Sequence, residues 1–72
     1  MKRIFERTKI IARFPAIERV VIKGESISNK ITDVNSGRVI TAWSCTLESM
    51  GHKAEKDLVD TLKLFHYKEV TQ

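Results

Sequence analysis

The sequence predicts an α+β domain: a four-stranded antiparallel β-meander with one C-terminal amphipathic helix packed on one face. Three observations predict it. Apolar and charged residues alternate through much of the first 45 positions, the period of strands with one wet and one buried face. Turn residues interrupt that alternation at Gly24-Glu25 and at Asn35-Ser36-Gly37. After Thr46 the apolar spacing changes to three and four, the stripe of an amphipathic helix. At 72 residues the chain is read as one domain, 1–72. A chain so short buries only roughly 60% of its unfolded surface.

The first strand rests on Arg7-Thr8-Lys9-Ile10-Ile11-Ala12-Arg13-Phe14, with Arg7, Lys9 and Arg13 at odd positions and Thr8, Ile10, Ala12 and Phe14 at even ones. Pro15, the only proline, ends it because it has no amide proton to donate. A competing reading makes residues 1–14 a helix with Ile4, Thr8 and Ile11 in line. The β-branched run favours a strand. Arg19-Val20-Val21-Ile22-Lys23 forms the second, and Gly24-Glu25 suits a type II′ hairpin. A third strand covers Ile27 to Val34, and the fourth runs from Arg38 to about Cys45. The helix stripe is Leu47, Met50, Ala54, Leu58, Leu62 and Phe65, with Thr46 as N-cap. Gly51 on that stripe weakens the helix by roughly 1 kcal/mol relative to Ala; it either lets the helix approach the sheet closely or marks the helix's true start. Lys53 with Asp57 and Lys56 with Asp60 are i,i+4 pairs on its solvent side. The tail from His66 to Gln72 has no clear period.

Carried through the strands, the alternation assigns two faces. Ile10, Ala12, Phe14, Val20, Ile22, Ile27, Ile31, Val39, Trp43 and Cys45 turn toward the helix. Trp43 is therefore expected in the core, since an indole buries a large area. Exposure as a hot-spot residue would require a slip of one position. The opposite face carries seven cations and no acid: Arg7, Lys9, Arg13, Arg19, Lys23, Lys30 and Arg38, with Ile11, Val21, Ile40 and Ala42 among them. Asp33 falls on the buried side, so a bulge or fraying is expected near that turn.

Charge is unevenly spread along the chain. Residues 1–38 hold nine lysines and arginines against four acids, and residues 39–72 hold four against five. Such asymmetry points to an anionic partner for the first half. Edge cations also guard strands against aggregation, and a solvated sheet face is common. A solvated face, however, usually mixes its signs.

Catalytic chemistry is thin. Cys45, His52 and His66 form no close pair of the kind zinc sites use. A Cys45–His52 nucleophilic pair lacks a third orienting group and an oxyanion site. Asp57 and Asp60 have lysine neighbours, the pattern of a solvated helix face. Three isolated glycines make no phosphate loop. These residues lead to the expectation of a non-enzyme with no metal and no cofactor. One cysteine demands no oxidising compartment, and no apolar run suggests a membrane span or signal core. A cytoplasmic protein is expected.

The partner-binding residues expected on this basis are Arg7, Lys9, Ile11, Arg13, Arg19, Lys23, Lys30, Arg38 and Ile40. An apolar centre with an arginine rim suits a protein surface of acidic character. In size and architecture the chain resembles the small stand-alone inhibitors that bacteriophages and mobile elements encode, anti-CRISPR proteins among them. That resemblance, of fold level only, implies a non-enzymatic protein acting by occupancy on a host protein or ribonucleoprotein complex that handles nucleic acid. The alternative is a DNA- or RNA-binding regulatory domain using the same face on phosphates. Strand, tight turn, strand and helix follow in an order loosely similar to integrase arm-binding modules. Gly51-His52-Lys53-Ala54-Glu55-Lys56 is faintly similar to the second-helix start of double-stranded-RNA-binding domains. Neither likeness covers enough specific residues to assign a family. The expected oligomeric state is a monomer or weak homodimer, without a membrane partner.

Overall fold

The computed structural model describes residues 2–51 and 54–70. Its elements are β1 (Lys2–Ile11), β2 (Phe14–Lys23), β3 (Ser26–Asp33), β4 (Val39–Thr46), a 3₁₀ turn (Glu48–Met50), α1 (Glu55–Leu64) and β5 (Lys68–Val70). All strands join one antiparallel sheet in the order β4-β3-β2-β1-β5. The first four are the expected meander. The fifth is an addition: three residues after the helix, too few to show a period, return to pair with Ile4, Phe5 and Glu6.

The first hairpin turns earlier than Pro15 suggests. Ile11 faces Phe14, leaving Ala12 and Arg13 as a two-residue turn with φ of 47° and 73°. Positive φ at both central residues is the pattern of a type I′ turn, whose twist matches that of the strands. Pro15 lies one residue into β2 and its carbonyl accepts from the Val34 amide at 3.1 Å. At the second hairpin Gly24 has φ 61° and Glu25 is not in the positive region, as a type II′ turn requires.

The position of the first turn resets the face of β1. A two-residue hairpin puts Ile11 and Phe14 on one side. The phase anchored on Phe14 therefore passes to the odd residues of β1. Phe5 enters the core at 0% exposure, while Ile10 points to the opposite side at 75%. Ala12 belongs to the turn and to neither face. A register shift between Ile31 and Thr32 leaves Ile40 without an opposite residue and turns Val39 away from the helix side. This is the irregularity expected beside Asp33. That residue closes the turn, its carboxylate accepting from the Asn35 amide at 2.9 Å and the Ser36 hydroxyl at 3.1 Å.

The core is Phe5, Val20, Ile22, Ile27, Leu47, Leu58, Val59 and Leu62, with Cys45 and Tyr67 packed against it. Helix α1, ten residues long, covers about 15 Å, whereas the sheet belongs to a molecule 35 Å in its longest extent. At the margins of the helix side Phe14 and Trp43 remain exposed. Trp43 lies on that side as expected, yet it is outside the core and 44% exposed.

The helix begins after Gly51, which ends the 3₁₀ turn at φ 81°. Thr46 caps that short turn instead of α1: its hydroxyl accepts from the Ser49 amide at 3.2 Å. Met50 and Phe65 of the expected stripe are exposed, and Val59 is buried in addition. The Lys53–Asp57 pair lies outside the described residues. At the C-terminus, Tyr67 N donates to Leu62 O and His66 N to Lys63 O, with His66 at φ 69°. These are the two bonds of a Schellman motif. They turn the chain so that β5 can join the sheet.

Candidate binding surface

The sheet face away from α1 is built from the cross-strand rows. One row runs Lys68, Glu6, Arg19, Lys30, Ala42 across β5, β1, β2, β3 and β4. The next runs Val70, Ile4, Val21, Ser28, Ser44, and the one after it Lys2, Lys23, Ser26, Thr46. A short apolar centre, Val70, Ile4 and Val21, thus lies between two cationic rows. Five cations share the face with one acid, Glu6, and Arg19 donates to that carboxylate. Acidic residues collect in the other layer, where Glu48, Glu55, Asp57 and Asp60 stand with Lys56 and Lys63 among the described residues of the 3₁₀ turn and α1.

The face is basic, but its membership differs from the expected one. Arg19, Lys23 and Lys30 lie on it. Arg7, Lys9 and Ile11 lie on the helix side, in register with Glu18, Ala16 and Phe14. Arg13 is in the β1–β2 turn, Arg38 precedes β4, and Ile40 is the bulged residue. Glu6 overturns the expectation of a face without acids. The physical reason is again the Ala12–Arg13 turn, which inverts the phase of β1 relative to the later strands. Lys2, Ile4 and Lys68 were missed with it. The alternation of Lys2, Ile4 and Glu6 was visible, but nothing local says which phase of β1 is buried.

On the helix side the displaced cations meet a buried carboxylate. Glu18 is 8% exposed, and Arg7 approaches its Oε1 with Nε and Nη2, both at 3.1 Å. Lys9 Nζ stands 3.9 Å from the same oxygen, and Asn29 Nδ2 donates to Oε2 at 2.8 Å. The Tyr67 hydroxyl completes the set. Burial pushes the Glu18 carboxyl up, but hydrogen bonds from Asn29, Tyr67 and Arg7 outweigh it and hold the group below its ordinary value. Burial, aided by Glu18, pushes the Tyr67 hydroxyl up to about 12. Arg7 also stacks 4.4 Å from the Tyr67 ring centre and donates to Phe65 O at 3.2 Å. Arg7 is held as an internal brace between β1, β2 and the chain after α1.

At the Lys68 end of β5, where the strand begins, a cleft of about 450 Å³ opens beside β1, lined by Glu6, Thr8, Ile17, His66, Lys68 and Glu69 among others. Its carboxylates are engaged: Glu6 with Arg19, and Glu69 with Arg3 at 2.7 and 2.8 Å. Cys45 is on β4 and His66 is beside β5, at opposite edges of the sheet. His52 lies outside the described residues. Among the described residues no three His, Cys, Asp or Glu side chains group as metal ligands, and no helix is long and apolar enough to cross a membrane. No protein-family model, curated protein or solved structure matches the chain.

Proposed function

We propose that the chain is a non-enzymatic binding protein that acts by occupancy in the cytoplasm. It docks its open sheet face on an acidic surface of a protein or ribonucleoprotein complex that handles nucleic acid. In size and architecture the chain resembles the small inhibitors encoded by bacteriophages and mobile elements, including anti-CRISPR proteins. The observation that supports this reading is the row Val70, Ile4, Val21 set between rows bearing Lys2, Lys23, Lys68, Arg19 and Lys30. An apolar centre gains from burial against a protein, and the surrounding cations select its charge. A second reading rests on Ser26, Ser28, Ser44 and Thr46, hydroxyls that join Lys23 and Lys30 on the β3–β4 side. Hydroxyls and cations together suit phosphate oxygens.

The test is the double reversal Lys23→Glu and Lys30→Glu, since neither lysine has an ion-pair partner among the described residues. Tagged chain is used to capture partners from lysate before and after nuclease, with Lys56→Glu and Lys63→Glu on α1 as the control. A protein retained after nuclease by the wild type and the control, and lost by the reversal, supports the inhibitor reading. Capture that disappears with nuclease, with affinity falling at least a hundredfold from low to high salt, supports the phosphate reading. Equal capture by the reversed and wild-type chains rejects the open face as the site.

A further inference from the structure

The two edges of the sheet are protected to very different degrees. On one side β5 covers Ile4–Glu6, and the remaining length of β1 carries Arg7 and Lys9. Charges and a short edge strand are the usual guards against strand addition. On the other side β4 reads Val39-Ile40-Thr41-Ala42-Trp43-Ser44-Cys45-Thr46, with no charge and no proline. Seven of these eight residues are exposed, and Val39, Ile40 and Trp43 are large apolar side chains at 48%, 47% and 44%. The bulge at Ile40 interrupts it at one end and Ser49 closes the other, its hydroxyl accepting from Thr46 N at 3.1 Å and donating to Thr46 O at 2.8 Å, leaving Thr41–Cys45 as about 17 Å of regular free edge.

We propose that β4 is a dimerisation edge, at which two copies of this chain pair antiparallel about a two-fold axis and join two five-stranded sheets into one of ten. The occupant follows from charge and symmetry. An uncharged edge offers nothing to select an acidic or basic partner strand. The same edge is self-complementary, because outward N–H and C=O groups of an antiparallel strand repeat identically from either end. Net charge of +4 on each copy opposes association, but no charged residue lies on the paired strand itself. The nearest open-face cation is Lys30 on β3. The two copies of β3 would lie three strand spacings apart, about 14 Å, which exceeds the screening length of about 8 Å at physiological salt. The contact is small. Five regular residues per copy, with Trp43 covered, place it at the low end of stable interfaces, so the dimer is concentration-dependent. Growth stops at two copies because the guarded β1–β5 edge does not accept a strand. The inference does not depend on the open face binding any partner.

Trp43 is the only tryptophan, so its emission reports this edge directly. Sedimentation equilibrium on the intact chain, from micromolar to millimolar, should pass from 8.3 kDa to twice that mass. The Trp43 emission should shift to the blue over the same range. Thr41→Lys with Ser44→Lys places one cation on each side of the edge and should raise the dimer dissociation constant at least tenfold. A far-UV melting curve checks that the variant is folded. A wild type that stays monomeric with unchanged emission up to millimolar overturns the proposal without recourse to any variant. So does a folded variant that dimerises as the wild type does, or a mass that grows past two copies.

Discussion

Arg7 and Glu18 stand directly opposite each other on β1 and β2, with the guanidinium Nε and Nη2 both 3.1 Å from Glu18 Oε1. The pair lies on the side that α1 packs against, beyond the end of the apolar cluster. A cation that alternation assigns to the solvent face instead compensates the one buried carboxylate of the sheet. Asn29, Tyr67 and the more distant Lys9 supply its remaining partners, so β1, β2, β3 and the segment after α1 converge on one group.

Removing Arg7 should therefore cost stability. Arg7→Ala leaves Glu18 with only the more distant Lys9, 3.9 Å away, and is expected to destabilise by about 2–3 kcal/mol, below the range for fully buried pairs because the guanidinium is partly exposed. Glu18→Gln keeps the shape and should cost less. A double-mutant cycle by urea melts should give a coupling above about 1 kcal/mol. Additive single effects would mean that the pair is a surface contact.

Stability should fall in acid through the same carboxylate. A group held below its ordinary value of 4.5 contributes in full above that pH, and the contribution is lost as pH falls through the lowered folded value. Glu69 acts in the same direction, chiefly through its hydrogen bond from Arg3. Thermal melts between pH 7 and 2 should show a shallower acid loss for Glu18→Gln than for the wild type. Tyr67 acts at the other end of the scale. Its share is complete below the ordinary value of 10.0 and is lost as pH rises through about 12. Tyr67→Phe should remove that alkaline step.

The helix contributes through few side chains. Leu58, 2% exposed between α1 and the sheet, should cost about 2–5 kcal/mol as Leu58→Ala, most of the stability of so small a domain. Leu64, six residues on and 74% exposed, should change stability by less than about 0.5 kcal/mol as Leu64→Ala. Similar losses at both positions would show that α1 packs by another face.

His66 occupies a left-handed position that favours glycine, with φ at 69°. His66→Gly relieves a cost of about 1–2 kcal/mol in the folded state and adds some freedom to the unfolded chain. A net gain of about 0.5–1 kcal/mol is expected, read as a melting temperature several degrees higher. A lower melting temperature would show that the imidazole makes a stabilising contact in the cleft beside β5.

Local order determined much of this protein. The Gly24 hairpin, the strand character of the first half and the break at Gly51 are legible because each depends on a few adjacent residues and their φ preferences. The buried face of β2 and β3 is equally plain, since Val20, Ile22, Ile27 and Ile31 keep one phase, with Asn29 the polar member between the last two. Only the tertiary structure decided which phase of β1 is buried. The Ala12–Arg13 turn lacks the Asn-Gly signal of its type, and a shift of one residue in a turn exchanges the two faces of a strand. Phe5 won the core place over Ile10 because the hairpin aligns it with Val20 under α1. Arg7 could follow it inward because Glu18, eleven residues away in sequence, stood opposite. The basic open face depends on the same long-range alignment. Lys2 joins Lys23 through the register of the β1–β2 hairpin, and Lys68 joins Glu6 only when β5 returns to pair with β1.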